Sequence, residues 1–131
     1  MPYKDLKTQR EYFKKYREAK RKEAAERSQK WERENPEQVK RNKLRRNYNM
    51  TLEDYDTLLT IQNSVCAICL QPETAKHKSG STWALCVDHC HTTGKIRGLL
   101  CNKCNRALGY FKENPTITER ATQYLNNFYG K

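Results

Sequence analysis

Two cysteine pairs, Cys66-Ala-Ile-Cys69 and Cys101-Asn-Lys-Cys104, flank the segment Val87-Asp88-His89-Cys90-His91, and Asn105 directly follows the last cysteine. A CxxC turn lets two thiolates bind one ion from a single knuckle, and two knuckles complete a tetrahedral zinc site. The 31 residues between the pairs exceed the roughly 15–20 of the commonest four-cysteine spacing. Something is therefore inserted between the knuckles, and the insert carries Asp88, His89 and His91. Oxygens from Asp88 and Asn105 are hard ligands suited to Mg²⁺. An imidazole beside them, such as His89, can take a proton from water, because an unperturbed imidazole titrates near neutral pH. These residue types thus read as a structural zinc site and a hydrolytic metal site in one block. On spacing alone, Asp88-His89-x-His91 reads equally as a second metal cluster or a polar turn.

To bring those groups together, the pattern predicts a strand over 83–87, a turn over 92–95, a strand over 96–100 and a helix from Cys101 to Gly109, where glycine is a natural stop. Such a strand–strand–helix unit places the end of the first strand opposite the start of the helix, with Asn105 16 residues after His89. Residues 70–82 read as an exposed loop. Residues 3–34 hold no Pro or Gly and predict one long helix, with Tyr12, Tyr16 and Ala19 on a thin apolar stripe. Asn35 is the expected cap of a second helix, with Pro36 at its first position and Gln38 at its third; it should fade near Asn49. Thr51-Leu52-Glu53-Asp54 caps a third helix, whose Leu52, Tyr55, Leu58 and Leu59 form an apolar face. A last helix, from Thr116 or Thr118 to Phe128, presents Ile117, Ala121, Tyr124, Leu125 and Phe128 for packing. The expected architecture is α+β: a basic helical arm over 1–49, then a small zinc-stapled domain over 50–131.

Only 36% of the 131 residues are apolar, and mean hydropathy is −1.10. Hydrophobic burial alone leaves such a domain marginal, whereas structural zinc contributes about 10–16 kcal/mol of apparent binding free energy linked to folding. The net charge of +11 divides into +9 over residues 1–50 and +2 over the remainder. That arm points to a polyanionic partner, with a solvated, solubilising helix as the plain alternative. The N-terminus runs into charge and not into an apolar core, and no stretch approaches the ~18 apolar residues of a membrane span. A cytoplasmic protein with no membrane partner is expected, and CxxC pairs in such a reducing compartment read as metal ligands.

Val87-Asp88-His89-Cys90-His91, then Gly94-Lys95-Ile96-Arg97-Gly98-Leu99-Leu100-Cys101-Asn102-Lys103-Cys104-Asn105 and Leu108-Gly109, resemble the phage recombination endonuclease VII family of HNH, or ββα-metal-finger, nucleases. The resemblance covers roughly residues 50–110, and basic helices often precede this domain in phage-encoded relatives. It implies a DNA endonuclease, with duplex DNA, branched DNA and Holliday junctions as candidate substrates. Asp88 and Asn105 would hold one Mg²⁺ or Mn²⁺, and His89 would activate water. His91 would contact the scissile phosphate or assist the leaving group, while Cys66, Cys69, Cys101 and Cys104 would hold zinc. The sequence departs from the family pattern at Leu108, where the founding member has a glutamate. That member also continues into long helices that build a dimer, whereas 22 residues follow Gly109; a homodimer stands as a candidate partner.

Several residues carry two readings. Lys95 and Arg97 either clamp phosphate or are solvated edge charges, and Arg106 is similarly ambiguous. Lys40, Arg41, Lys43, Arg45 and Arg46 are candidate DNA contacts. Cys86 reads as a small core residue, Cys90 as a non-ligand and His77 as an exposed residue without a role. Trp31 and Tyr48 are expected to pack against a neighbouring helix and not to stack on bases. Two other functions compete with a nuclease: a non-catalytic zinc-finger DNA-binding protein and a protein-interaction zinc module. A pure binder has no need of a carboxylate beside phosphate, and the charged arm disfavours the second.

Overall fold

Helix α1, Leu6–Glu34, starts where Asp5 accepts hydrogen bonds from the Thr8 amide and hydroxyl, both at 2.8 Å. The computed structural model describes residues 5–130, so the part of the expected helix at residues 3 and 4 lies outside the described residues. At about 1.5 Å per residue α1 is ~44 Å long, and it buries none of its residues. Among the described residues its aromatics meet neighbours on the same helix, Tyr12 stacking on Tyr16 at 6.5 Å. Trp31 stays exposed, contrary to the expected packing.

Helix α2, Pro36–Tyr48, begins with proline as expected. Asn35 holds the cap position, its carbonyl accepting from Val39 N at 3.1 Å, but its side chain serves α1: its backbone and side-chain amides both donate to the Trp31 carbonyl, at 2.9 and 2.8 Å. Gln38 reaches forward to Asn42 at 2.9 Å. The helix ends at Asn49, whose left-handed φ of 50° asparagine tolerates better than most residues. Contacts divide the chain into two units, Met1–Lys43 and Leu44–Lys131.

The second unit contains α3, Leu52–Ile61, then an antiparallel pair β1, Cys86–His89, and β2, Ile96–Leu100. Helices α4, Asn102–Tyr110, and α5, Pro115–Tyr129, follow. Thr51 and Asp54 form the expected capping box of α3. The core gathers Leu44, Met50, Tyr55, Leu85, Val87, Leu99 and Leu100 around Cys66 and Cys101, with Tyr48, Leu52, Leu58 and Leu59 packed against it. Tyr55 is buried, and its hydroxyl donates to the Leu85 carbonyl at 2.8 Å. Gln62 works like a short extra strand: its amide donates to the Leu99 carbonyl at 2.9 Å and accepts from the Leu99 amide at 2.8 Å. Gly98 leaves room for this, since a Cβ there would stand 3.1 Å from Gln62 Oε1.

Three local expectations change. The first strand begins at Cys86, because Trp83 pairs back to the Ala75 carbonyl in a small loop where His77 stacks on the Trp83 ring at 5.0 Å. Gly109 does not stop α4; the chain turns at Lys112 and Glu113, both left-handed with φ of 53°. Helix α5 starts at Pro115, capped by Asn114, and buries none of its residues: Tyr124 and Phe128 are 76% and 82% exposed. The amphipathic pattern is present, but no element of the described chain covers it. Among the described residues, no helix is long and apolar enough to cross a membrane.

Candidate active site and metal centre

Ligand atoms of Cys66, Cys69, Cys101 and Cys104 all lie within 4.8 Å of one another. They form the one group of three or more Cys, His, Asp or Glu among the described residues arranged to hold an ion. Sulfurs about 2.3 Å from a shared tetrahedral ion stand ~3.8 Å apart, the separation found between Cys69 Sγ and Cys101 Sγ. The first knuckle is shaped by a left-handed Leu70 and by hydrogen bonds from Leu70 N to the Cys66 carbonyl and from Cys66 N to the Gln71 carbonyl. Ala67 N donates to the Leu99 carbonyl, tying that knuckle to β2. The second knuckle opens α4, with Cys101 Sγ accepting from Cys104 N.

Burial pushes the Cys66 thiol up, but amide hydrogen bonds from Cys69, Cys101 and Ile68 outweigh it and bring it down to about 7. Burial and the neighbouring sulfurs drive Cys104 up to about 12. Four crowded thiols cannot all ionise without a cation; a dication removes that conflict, so the donor set suits structural zinc. Glu73, which sequence reading missed, braces the centre. One oxygen accepts from Asn102 N at 2.6 Å at the start of α4, and the other accepts from Thr74 N and Ala75 N. No local pattern connects it to a helix start 29 residues away.

The second site sits at the other end of the hairpin. Asp88 pairs with Gly98, but His89 pairs with Ile96, so a bulge leaves Arg97 as the extra residue. Bulges re-aim a side chain beside active sites, and this one turns Arg97 onto Asp88. The guanidinium forks the carboxylate, Nε to Oδ2 at 2.7 Å and Nη2 to Oδ1 at 2.8 Å. Its remaining arm donates to Glu113 Oε2 at 3.2 Å. Hydrogen bonds from Arg97 to Asp88 and then to Glu113 raise the Arg97 pKa and hold the charge in place. Glu113 Oε1 lies 3.3 Å from His91 Nε2. The His91 ring lies 4.8 Å from that of His89, which meets the Tyr48 ring edge-on at 5.4 Å.

Asp88, His89, His91 and Arg97 therefore share one end of the hairpin. Cys90 stays outside the four-sulfur group, and Cys86 is only half-buried. Asn105 is half-buried in the first turns of α4, a helix that packs on both strands, and its side chain has no hydrogen bond among the described residues. Each Asp88 oxygen keeps a second lone pair beyond the Arg97 fork. A Mg²⁺ bound through one carboxylate, an amide oxygen and water fits that donor set. Lys95 is exposed in the turn, and Arg106 lies along α4 with Nη2 3.5 Å from the Tyr110 hydroxyl. Lys43, Arg45 and Arg46 are exposed on α2, while Lys40 and Arg41 are half-buried, Arg41 pairing with Glu37 at 3.1 Å.

Asp88, Arg97, Leu108 and Glu113 line one wall of an open cleft of ≈ 450 Å³ whose other wall is α5. Glu113 is the residue of this site that sequence reading missed. Two consecutive left-handed residues, at about 1–2 kcal/mol each, bring it there, and nothing short-range announces them.

The family described as recombination endonuclease VII matches residues 41–127, which include the four cysteines, both histidines, Asp88, Asn105 and Glu113. The Gene 59 protein of Mycobacterium phage D29 is 37% identical over 79 residues, or 60% of this chain and 44% of that protein. The Gene 59 protein of Mycobacterium phage L5 is 36% identical over 81 residues, 61% and 46% of the two chains. The chain spans less than half the length of these relatives. No solved structure matches.

Proposed function

From its membership of the recombination endonuclease VII family, to which the chain belongs on a match over residues 41–127, we propose that this protein is a metal-dependent DNA endonuclease of the HNH type. The observation that carries the reading is the placing of His89. Its ring meets those of Tyr48, at 5.4 Å, and His91, at 4.8 Å, and the residue directly follows the buried Asp88 in sequence. Asp88 and Asn105 would hold Mg²⁺ or Mn²⁺, which when bound stabilises charge on the scissile phosphate. His89 takes a proton from the attacking water, and the Tyr48 edge limits the ring's freedom to turn away. His91, exposed at the turn, faces the phosphate or the departing oxygen. Arg97 orients Asp88 through its bidentate fork. Structural zinc on the four cysteines fixes β2 and α4, and hence the distance from Asp88 to Asn105.

Lys95 and Arg106 are proposed phosphate contacts of this unit, and Lys40, Arg41, Lys43, Arg45 and Arg46 those of α2. Four-way junctions need two coordinated cuts, so junction resolution would call for two copies of the chain. The matched relatives are phage proteins, which supports action on DNA in a host cytoplasm. A second reading, a non-catalytic zinc DNA-binding protein, draws on the Arg97 fork, which already gives each Asp88 oxygen one cationic partner.

One assay separates the two: cleavage of a labelled four-way junction and a matching linear duplex by the zinc-loaded chain, with and without added Mg²⁺, for wild type and His89→Ala. Mg²⁺-dependent cutting lost in the variant is expected, and the junction-to-duplex ratio reads branched-DNA selectivity. Salt-sensitive binding without any cutting would establish the non-catalytic reading.

A further inference from the structure

We infer that Glu113 is a positioning residue of the cleavage site, acting through His91, whose Nε2 it holds so that Nδ1 is left to face the substrate. The inference rests on the nuclease reading and adds a residue to it. His91 is 72% exposed at the side chain and lies at the start of the turn between the strands. Among the described residues, its polar contact is the one from Nε2 to Glu113 Oε1 at 3.3 Å, beside the ring contact with His89. An exposed histidine without that anchor would sample several rotamers. With it, the Nε2 edge of the ring is kept facing the Glu113 carboxylate at ion-pair distance, and Nδ1 is left to exchange a proton at the phosphate.

The backbone is shaped to deliver this carboxylate. Lys112 N donates to the Gly109 carbonyl and Glu113 N to the Leu108 carbonyl, closing the end of α4 through two left-handed residues. The side chain then turns toward the hairpin, where it is only 22% exposed. Carboxylates beside a phosphate path are repulsive unless neutralised. Here Oε2 is engaged by the Arg97 Nη1 at 3.2 Å, so the acid can stand behind His91 without opposing DNA. Arg97 joins the two acids, and Glu113 links that pair to the histidine. Glu113 itself needs no contact with the substrate.

The test uses the full zinc-loaded chain and single-turnover cleavage of labelled DNA with Mg²⁺, for wild type, Glu113→Gln, His91→Ala and the double variant. Glu113→Gln should slow cleavage roughly ten- to hundredfold, the range seen when a carboxylate orienting a histidine is removed. DNA affinity should stay within about twofold, and Glu113→Gln should add no further loss on top of His91→Ala, as expected of residues acting as one unit. The His91 ring ¹⁵N resonances should also shift in Glu113→Gln. Should that variant fold poorly, Glu113→Asp, which keeps the charge and shortens the reach, serves in its place. An equal slowing in the wild-type and His91→Ala backgrounds, or unchanged His91 ring resonances, overturns the inference. Failure of the wild-type chain to cut any DNA overturns the nuclease reading and this inference together. Cutting that Glu113→Gln leaves at full rate overturns the inference alone.

Discussion

Helix α1 and the hairpin of β1 and β2 hold their shape in opposite ways. Along 29 residues α1 buries nothing. It rests on helix propensity, caps at Asp5 and Asn35, and exposed pairs such as Lys20–Glu23 at 3.0 Å, each pair worth only a few tenths of a kcal/mol. The hairpin has nine residues in its strands, yet it touches the Gln62 amide, the Ala67 knuckle, the Tyr55 hydroxyl upstream of β1 and the four-sulfur group. Local order in α1 thus comes from composition, whereas the hairpin is positioned by contacts with residues far away in sequence. An arm made that way should be dispensable to its neighbour's fold, whereas the hairpin should depend on an ion held by the four cysteines.

The sharpest test of that contrast is Cys101→Ser, or stripping zinc with a strong chelator. Structural zinc contributes on the order of 10 kcal/mol, so the second unit should lose its cooperative melt and near-ultraviolet dichroism. A folded, zinc-free Cys101→Ser protein would break the comparison. Next in size, His89→Ala should leave the melt and zinc content intact while cleavage falls by about 10²-fold or more, the usual contribution of a positioned base. A melt that collapses with the activity would make His89 a structural residue.

Deleting residues 1–43, which carry a net +7, should leave the second unit folded and cutting. DNA affinity should drop roughly tenfold to a hundredfold near 150 mM salt, with a shallower salt dependence. Unchanged affinity would reduce α1 to a solubilising helix. The smallest effect concerns Tyr55, which burial, with Cys86 and Asp56 nearby, pushes up to about 12. Its proton is held more tightly folded than unfolded, so the associated stability is fully present below pH ~10 and lost as pH rises toward 12. Tyr55→Phe should cost about 1 kcal/mol at neutral pH through the lost Leu85 hydrogen bond. It should also flatten that alkaline fall in denaturant melts, and an identical alkaline profile in both proteins would assign the fall to other groups.

How much was legible varies with how far each interaction reaches. The Thr51–Asp54 capping box was readable because both bonds close within three residues. Asn-Pro occurs before α2 and before α5, and the two outcomes differ. Asn114 caps the helix that follows, after the left-handed turn has carried it away from α4. Asn35 instead bonds back to Trp31, because α1 runs right up to it and leaves that carbonyl in reach. An identical dipeptide thus takes its role from what precedes it. Gly109 read as a stop, yet the turn at Lys112 and Glu113 fixed the end of α4.

By itself the sequence determined the α+β order of elements, the four cysteines as one group and the charge of the arm. Those follow from short spacings, periodicity and composition, which act within a few residues or over the whole chain. Tertiary structure alone decided that a bulge would turn Arg97 onto Asp88, that Gln62 would pair with Leu99, and that Glu113 would reach His91 from 22 positions away. Each depends on where separate elements dock. A one-residue slip in strand pairing or a left-handed turn redirects a side chain without leaving a local trace in the residues that it brings together.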